Sequence, residues 1–388
     1  MKRLDPADAR FAAIPTPALV LDVAALDANI ARMAAVASRH GIGLRPHAKS
    51  HKSVEIARRQ CAAGAIGIAC ATLAEAGDLI EAGIPDVLVT SPLAGAEKCA
   101  RFVELSRNGR IAAVVDDASQ VAMLGAMAGG AVLELAIDVD VGQARTGVTT
   151  VEDAVTLAKA IAADRSLRFV GIQGYAGHAQ HITDFGERTD GARRAAARLR
   201  EVVSALAGVK LEPGFVSGSG TGTSEIDMRE GPYTELQVGS YVLMDAEYRT
   251  IRDDNADPPP FLQSLYVLAT VVSTQRPGEI TVDAGTKALA VNGPPPDFLI
   301  GVAGGARYRF WGDEHGVIAL PPGAPAPPAG SRVLIPATHC DPTVNLHAAY
   351  HVVIDNGPVE VWPIGGRYRP LTHGSEVWRM PRDDGASA

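Results

Sequence analysis

The sequence predicts an α/β protein, with a (β/α)8 TIM barrel followed by a second, antiparallel β domain. Between residues 26 and 250, short apolar runs alternate with alanine-rich amphipathic stretches, a pattern typical of repeated βα units. Eight such runs over about 220 residues match the strands of this barrel. After residue 250, proline clusters separate runs rich in Val, Thr and Tyr, which favour the strands of another sheet.

The barrel strands are predicted from short runs rich in Ile, Val, Leu and Ala. In chain order these runs are IGLRPHAK (42–49), IGIAC (66–70), DVLVTS (86–91), IAAVVD (111–116), LELAIDVD (133–140), RFVGIQGYAG (168–177), GFVSGSGTG (214–222) and QVGSYVLMD (237–245). In a barrel of this kind the active site lies at the carboxyl ends of the strands. The ends of these runs are therefore the places to look for chemistry.

Helices are predicted between the strands. In the first, apolar residues from 26 to 37 recur at helical spacing after Asp22, a candidate N-cap, and Gly41 ends the helix. Later amphipathic stretches end at Gly83 and Gly208. The stretch TPALVLD (16–22) reads as a strand that precedes the barrel. We therefore predict a barrel at residues 26–250, and a β-rich domain made of residues 1–25 together with 251–388.

Composition limits the class of partner. The net charge of −8 and a pI near 5.7 disfavour nucleic acid and anionic membranes as partners, because phosphate surfaces require an excess of Lys and Arg. The four cysteines form no CxxC motif, which suits reduced thiols. No apolar stretch near the N-terminus is long enough to span a bilayer. We expect a cytoplasmic protein that acts on a small molecule.

Lys49 is the first candidate catalytic residue. The stretch LRPHAKSHK (44–52) is strongly basic, and if it is extended, Arg45, His47 and Lys49 project from one face. A lysine directed into a barrel mouth is partly desolvated, which lowers its pKa and makes its amine a nucleophile toward aldehydes. That chemistry suggests a Schiff base with pyridoxal phosphate. The alternative is an ordinary charge cluster on a solvated loop.

A glycine-rich loop, SGSGTG (217–222), follows the seventh predicted strand. Gly218, Gly220 and Gly222 would let backbone N–H groups, including that of Thr221, approach an anion. The loops after strands seven and eight are the usual phosphate site of this barrel. The alternative is a tight turn without a ligand.

Two further strand ends carry polar side chains. Arg145, in DVDVGQARTG (138–147), could donate to a phenolate-like oxygen of the cofactor, or it could simply face solvent. In GYAGHAQH (174–181), Tyr175, His178 and His181 are candidates for acid, base or ring partners.

THCDPTVNLH (338–347) is a candidate metal site in the β-rich domain. If this stretch is a strand, His339 and Asp341 share one face, and Cys340 points to the other. An imidazole with a carboxylate suits Mn²⁺, Mg²⁺ or Zn²⁺. Such a short motif also arises by chance, and a packing role is the simpler expectation for His347.

Taken together, these motifs resemble the D-threonine aldolase and D-serine dehydratase family of fold type III pyridoxal-phosphate enzymes, which have an alanine-racemase-like barrel. The resemblance covers nearly the whole chain in the family's order, and includes TPALVLD, LRPHAKSHK, DVDVGQARTG, GYAGHAQH, GSGTG, TELQVGSYVLMD, DAGTKA, DEHGV and HCDPTVNLH. It implies a homodimer whose barrel binds pyridoxal phosphate and whose β-rich domain binds a divalent metal.

The resemblance also implies roles for individual residues. Lys49 carries the cofactor, His181 is the base, and His339 and Asp341 bind the metal. The residues expected to contact the cofactor are Lys49, Arg145, Tyr175, Gly218, Gly220, Thr221, Gly222, Gln237, Gly239 and Ser240. Alanine racemases have an arginine facing the ring nitrogen, where this chain has the neutral Gln237.

The resemblance implies an aldolase that cleaves D-β-hydroxy amino acids, such as D-threonine or 3-hydroxy-D-aspartate, to glycine and an aldehyde. The second metal ligand decides this, because D-serine dehydratases resemble a His-x-Cys pair and this chain has Asp341. Three alternatives stay open. They are a dehydratase of the same family, a non-catalytic pyridoxal-phosphate carrier, and a cofactor-independent phosphate-sugar enzyme on the same barrel.

Overall fold

The computed structural model describes residues 4–354 and 357–367. Residues 1–3, 355–356 and 368–388, which the sequence assigns to the second domain, lie outside the described residues. The strands are β1 (Ala18–Asp22), β2 (Gly43–Leu44), β3 (Ile68–Cys70), β4 (Val87–Val89), β5 (Ile111–Val115), β6 (Leu133–Asp138), β7 (Leu167–Gly174), β8 (Val216–Gly218), β9 (Glu235–Leu236), β10 (Leu265–Ser273), β11 (Glu279–Val282), β12 (Arg307–Phe310), β13 (Gly316–Ala319), β14 (Arg332–Pro336), β15 (Ala349–Val353) and β16 (Glu360–Pro363).

The helices lie between these strands. They are α1 (Val23–His40), α2 (Val54–Ala62), α3 (Leu73–Glu81), α4 (Ala96–Ser106), α5 (Ala118–Met127), α6 (Val151–Ala163), α7 (Phe185–Gly208), α8 (Ser224–Glu230) and α9 (Cys340–Leu346). No helix in the described part of the chain is long and apolar enough to cross a membrane.

Strands β2 to β9 form a parallel sheet in the order β2-β9-β8-β7-β6-β5-β4-β3. The ring closes between its two ends, where His47 bridges to Ala69 and the Ile66 N–H donates to the carbonyl of Leu44. The predicted fold class is therefore confirmed. At the amino-terminal side of the barrel, the buried guanidinium of Arg45 bonds Glu235 and Asp86, so it does not share a site with Lys49.

Two predicted strand positions are wrong. The eighth strand is Glu235–Leu236, and residues 237–245 form a loop that contains a 3₁₀ turn at Ser240–Val242. The loop is apolar because residues 241 to 244 are buried in the core, not because they alternate along a strand. Lys49 also lies outside the first strand, in a 3₁₀ turn at Ala48–Ser50.

The predicted helix ends are confirmed. The Asp22 carboxylate caps the first turn of α1, and Gly41 ends α1 in the left-handed conformation. Helix α3 is capped by Thr72 and is followed by Gly83, also with positive φ. Helix α7 begins at Phe185, with Asp184 as its N-cap, and extends to Gly208.

The second domain is a sheet with the order β12-β13-β11-β10-β1-β15-β16, in which β14 also pairs with β10. Strand β1, which the sequence predicts from TPALVLD, is fully buried. It pairs antiparallel with β10 and parallel with β15. The second domain is antiparallel as predicted, apart from the parallel pair of β1 and β15. Helix α9 follows β14, and its first turn lies against the 3₁₀ turn at Ala48–Ser50 at the barrel mouth.

Candidate active site

A cavity of about 260 Å³ opens at the carboxyl ends of the barrel strands. It is lined by His47, Lys49, Ala71, Thr90, Ser91, Pro92, Arg145, Thr146, Gln173, Tyr175, Gly220, Thr221, Gln237, Gly239, Ser240 and Tyr248. Both its position and its polar lining are typical of an active site on this barrel.

Lys49 forms an ion pair with Asp341 at the edge of this cavity, and both side chains are half-buried. Burial alone would lower the pKa of Lys49, but the charge of Asp341 outweighs it and holds the pKa above its usual value. The prediction of a lowered lysine pKa is therefore wrong for this state of the protein. Lys49 in turn holds the pKa of Asp341 below its usual range, although burial opposes this effect.

The candidate metal residues lie at the start of a helix. His339 is the residue before α9, and Cys340 and Asp341 are in its first turn, so the prediction of a strand with Cys340 on the opposite face is wrong. Cys340 Sγ lies 3.2 Å from Asp341 Oδ2, and the Cys340 N–H donates to Asp245 Oδ2. His339 Nε2 nevertheless lies 3.9 Å from Asp341 Oδ2. In residues 4–354 and 357–367, no group of three or more His, Cys, Asp or Glu side chains could hold a metal.

His181 lies beside this pair, on the other side of Glu247. Its Nδ1 is 3.4 Å from Glu247 Oε1, and Glu247 Oε2 is 3.6 Å from His339 Nδ1. The His181 ring packs against Tyr248 at 4.7 Å between centroids. Burial, with the nearby charges of His339 and Lys49, lowers the pKa of His181 to about 4. At neutral pH His181 is therefore uncharged and able to accept a proton.

Arg145 and Tyr175 form one wall of the cavity. The guanidinium carbon of Arg145 lies 5.9 Å from the centroid of the Tyr175 ring. Burial raises the pKa of the Tyr175 phenol, so it stays protonated. His178 is exposed, and it does not line the cavity. His347 bonds the carbonyl of Ala288 through Nε2, which is a packing role.

The glycine-rich loop after β8 supplies one end of the cavity. An added Cβ would lie 2.1 Å from the Gly174 carbonyl oxygen at Gly218, and 2.0 Å from the Gln180 carbonyl oxygen at Gly222. These two glycines are needed for close packing and stand behind the lining, and the Gly222 N–H donates to Gln180 Oε1.

Four backbone N–H groups at this end of the cavity make no hydrogen bond within the described protein. They belong to Gly220, Thr221, Gly239 and Ser240, from the loops after β8 and β9. Buried N–H groups are almost always paired, so a set of unpaired ones facing a cavity is a natural anion site.

Two family models match consecutive parts of the chain. One, described as the alanine racemase N-terminal domain, covers residues 21–247, and the other, described as a putative serine dehydratase domain, covers residues 264–353. The chain is 40% identical over 363 residues to a D-threonine aldolase from Arthrobacter sp, which is 92% of this chain and 94% of that protein. The chain belongs to the D-threonine aldolase and D-serine dehydratase family.

Other members of this family give the same picture. A 3-hydroxy-D-aspartate aldolase from Paracoccus denitrificans is 40% identical over 91% of this chain and 92% of its own length. A D-threo-3-hydroxyaspartate dehydratase from Delftia sp. is 30% identical over 90% of this chain and 97% of its own. The crystal structure of a D-threonine aldolase from Filomicrobium marinum superposes with a TM-score of 0.86 at 37% identity, covering 91% of this chain and 96% of that one. The predicted family is confirmed.

In this family member, most residues that the sequence assigns to the cofactor line a single cavity. These are Lys49, Arg145, Tyr175, Gly220, Thr221, Gln237, Gly239 and Ser240. His181, His339 and Asp341 form a cluster at its edge. Sequence reasoning missed Glu247 and Gln173. Glu247 had a weak signal, since it follows a predicted barrel strand, whereas Gln173 sits inside a strand run and had none.

Proposed function

We propose that this enzyme cleaves D-β-hydroxy amino acids between Cα and Cβ, giving glycine and an aldehyde, with pyridoxal phosphate and a divalent metal as cofactors. One observation carries the proposal. Lys49 lines the same cavity as the unpaired N–H groups, and it also pairs with Asp341 in the cluster that contains His339 and His181. The enzyme would be a carbon–carbon lyase, as its two relatives named aldolases are.

The cavity fits pyridoxal phosphate. Among the described residues that line it, Lys49 is the only lysine, and the unpaired N–H groups of Gly220, Thr221, Gly239 and Ser240 would bind the phosphate. Arg145 would donate to the phenolic oxygen. When bound, the cofactor supplies an electron-withdrawing ring that stabilises negative charge at the substrate's α-carbon.

The cluster beside the cavity fits a divalent metal with open coordination positions. His339 and Asp341 offer one nitrogen and one carboxylate, a set that accepts Mn²⁺, Mg²⁺ or Zn²⁺. Two protein ligands leave positions for substrate and water. A bound metal would lower the pKa of a hydroxyl that it contacts.

The chain's own residues would then direct the cleavage. His181, uncharged and held against Glu247 and Tyr248, would remove the proton from the β-hydroxyl. Electron density from that oxygen forms the aldehyde carbonyl as the Cα–Cβ bond breaks. Lys49, which pairs with Asp341, could return a proton to Cα from its ammonium group.

Dehydration is the second candidate, because one relative is named a dehydratase. Two observations favour cleavage. Both relatives at 40% identity are named aldolases, and this chain has Asp341 where the resemblance gives dehydratases a cysteine. The metal-type cluster in the second domain also disfavours a non-catalytic carrier of pyridoxal phosphate. A homodimer, which the family resemblance implies, and a cytoplasmic location, which the composition and the few cysteines favour, are part of the proposal.

Product analysis tests the reaction. Purified enzyme with pyridoxal phosphate and Mn²⁺ should convert D-threonine or 3-hydroxy-D-aspartate to glycine and an aldehyde, with negligible action on L-threonine. Ammonia and a keto acid as the main products would establish the dehydratase instead. Equal rates on D- and L-threonine would contradict the proposed stereochemistry.

Borohydride reduction tests the cofactor. Reduction of the loaded enzyme, followed by peptide mapping, should label Lys49. Lys52 and Lys287 serve as internal controls, because Lys52 is paired with Glu75 away from the cavity and Lys287 with Glu314 on the surface. A label on either control would contradict the assignment of Lys49 as the cofactor lysine. Protein that stays colourless with pyridoxal phosphate would contradict the proposal and favour a cofactor-independent enzyme.

A further inference from the structure

A chain of buried hydrogen bonds crosses the floor of the cavity, from Asp138 through Gln173 to Gln237. Asp138 ends β6, Gln173 lies in β7, and Gln237 follows β9, so the chain runs across neighbouring parts of the barrel. The three residues are 5%, 2% and 4% exposed, respectively. At such burial each polar atom requires a suitable partner, and the partners determine which way each amide points.

The orientation of Gln173 is fixed by two acceptors. Its Nε2 lies 3.1 Å from the Thr90 carbonyl oxygen and 2.9 Å from Asp138 Oδ1. A carbonyl oxygen cannot donate, so the NH2 group of Gln173 must face it. The second oxygen of Asp138 accepts from the Thr146 hydroxyl at 2.7 Å, which holds the carboxylate in place.

The orientation of Gln237 follows from that of Gln173. Because Gln173 Nε2 is committed, its Oε1 must be the acceptor for the Gln237 amide, at 3.0 Å from Gln237 Nε2. Gln237 Nε2 also lies 2.8 Å from Ser217 Oγ, which uses its second hydrogen. The remaining polar atom of Gln237 is Oε1, a pure acceptor. No group in the described residues donates to it.

The neighbouring imidazole has no acceptor left for a ligand. His47 Nδ1 accepts from the Lys49 N–H, at 3.3 Å. His47 Nε2 lies 3.0 Å from the Thr90 hydroxyl, which itself donates to the Cys70 carbonyl, so Nε2 carries the proton. Among the amide and imidazole side chains that line the cavity, the unused acceptor is Gln237 Oε1.

We propose that the Asp138–Gln173–Gln237 chain holds the ring nitrogen of bound pyridoxal phosphate in its protonated form, with Gln237 Oε1 accepting the N–H. This rests on the proposed function, in which the cofactor occupies the cavity with Lys49 at one end and its phosphate at the N–H groups of Gly220, Thr221, Gly239 and Ser240. Gln237 lines the same cavity. A protonated nitrogen donates to an amide oxygen, whereas an unprotonated one would face it with two opposed lone pairs. An arginine at this place could only donate, and would favour the opposite state.

The consequence is chemical. A protonated ring withdraws electrons more strongly than a neutral ring, and so favours bond breaking at the α-carbon. Gln237 is the residue that would contact the cofactor, and Gln173 and Asp138 are positioning residues that fix its polarity.

The experiment uses the full-length enzyme loaded with pyridoxal phosphate labelled with ¹⁵N in the ring. The wild-type ¹⁵N resonance should lie at the upfield position of a pyridinium. Gln237→Leu, which removes the acceptor, should move the resonance downfield to the neutral position and weaken cofactor binding about tenfold. Gln237→Glu, which keeps an acceptor, should restore the upfield position.

Two further variants test the orientation argument. Gln173→Met frees Gln237 to rotate, because Ser217 can donate as well as accept, and should move the resonance part of the way downfield. Ser217→Ala is the matched control, since Gln173 alone still fixes Gln237, and should leave the resonance unchanged. The Gln237→Leu variant decides the matter if Gln173→Met does not fold.

The outcomes separate this inference from the proposed function. A wild-type cofactor that is bonded to Lys49 but has a neutral ring nitrogen would overturn the inference alone, as would an unmoved pyridinium resonance in Gln237→Leu. Wild-type protein that binds no pyridoxal phosphate would overturn the proposed function, and this inference with it.

Discussion

Lys49 and Asp341 form an ion pair that joins the barrel to the second domain. The two residues are 292 positions apart in sequence, one in the 3₁₀ turn after β2 and the other in the first turn of α9. The pair brings the candidate cofactor lysine and a candidate metal ligand into direct contact. Each residue therefore favours the charged form of the other.

Asp341→Asn should lower the pKa of Lys49. Burial lowers the pKa of the ammonium, and Asn removes the main charge that opposes this effect; an opposite charge at this distance is worth about one pH unit or more. In metal-free protein, formation of the visible band with pyridoxal phosphate should then begin at lower pH in the variant than in the wild type. An unchanged pH midpoint would mean that Asp341 does not govern the lysine.

Chelation should abolish turnover while leaving the thermal midpoint nearly unchanged. Helix α9 is held at its start by the bond from the Cys340 N–H to Asp245, which needs no metal. Asp341→Ala should reproduce the effect of chelation, and Cys340→Ser should keep the metal. If metal analysis shows the metal lost in Cys340→Ser but retained in Asp341→Ala, the ligand pair is wrong and dehydration becomes the better function.

Acidification should destabilise the protein as the pH falls from about 6.5 toward 4. His51 is fully buried, and burial lowers its pKa to about 4. The unfolded chain binds this proton more readily, so the stability is intact above pH 6.5 and about 3 kcal/mol is lost by pH 4. Urea unfolding across this range should give a flatter profile for His51→Asn, and exposed His40→Asn is the control. Equal slopes for the two variants would exclude His51 as a source of the loss.

Gly222→Ala should destabilise the fold by about 1–3 kcal/mol or more, because its Cβ would lie 2.0 Å from the Gln180 carbonyl oxygen. The matched control is Gly208→Ala at the end of α7, where an added Cβ meets nothing within 4 Å. That change should be neutral or slightly stabilising. Comparable urea midpoints for the two variants would show that the loop yields to the added methyl group.

The sequence predicts the barrel well because its signal is local. Each βα unit has an apolar strand run and a capped amphipathic helix, and the caps at Asp22 and Gly41 are visible in the sequence alone. The eighth strand was misplaced because apolar residues 241 to 244 are buried without being a strand, and burial is not secondary structure.

The prediction of a strand at residues 339–341 is wrong for a different reason. The His-x-Asp spacing suggested a strand, but Asp341 and Pro342 directly after Cys340 are typical of a first helical turn, where a carboxylate is stabilised and a missing N–H costs nothing. Asp341 and Pro342 thus indicate a helix at the position where the metal motif alone predicts a strand.

The contacts among side chains could not be predicted from local sequence at all. Glu247 touches both His181 and His339 only because the loop after β9 brings it to the mouth of the barrel. Gln173 is an ordinary strand residue until its two acceptors are known. Such relationships depend on the register between strands, which a single sequence does not state.

Strand β1 connects the second domain to the barrel. It is paired on one side with β10 and on the other with β15, yet it continues without interruption into the first helix of the barrel. Proteolytic cleavage in the exposed segment around residues 253–258 would therefore give two fragments. The amino-terminal fragment would carry β1, the central strand that the sheet of the carboxyl-terminal fragment lacks. The two pieces should recognise each other and reassemble like a split reporter, with catalysis as the signal that the halves have rejoined.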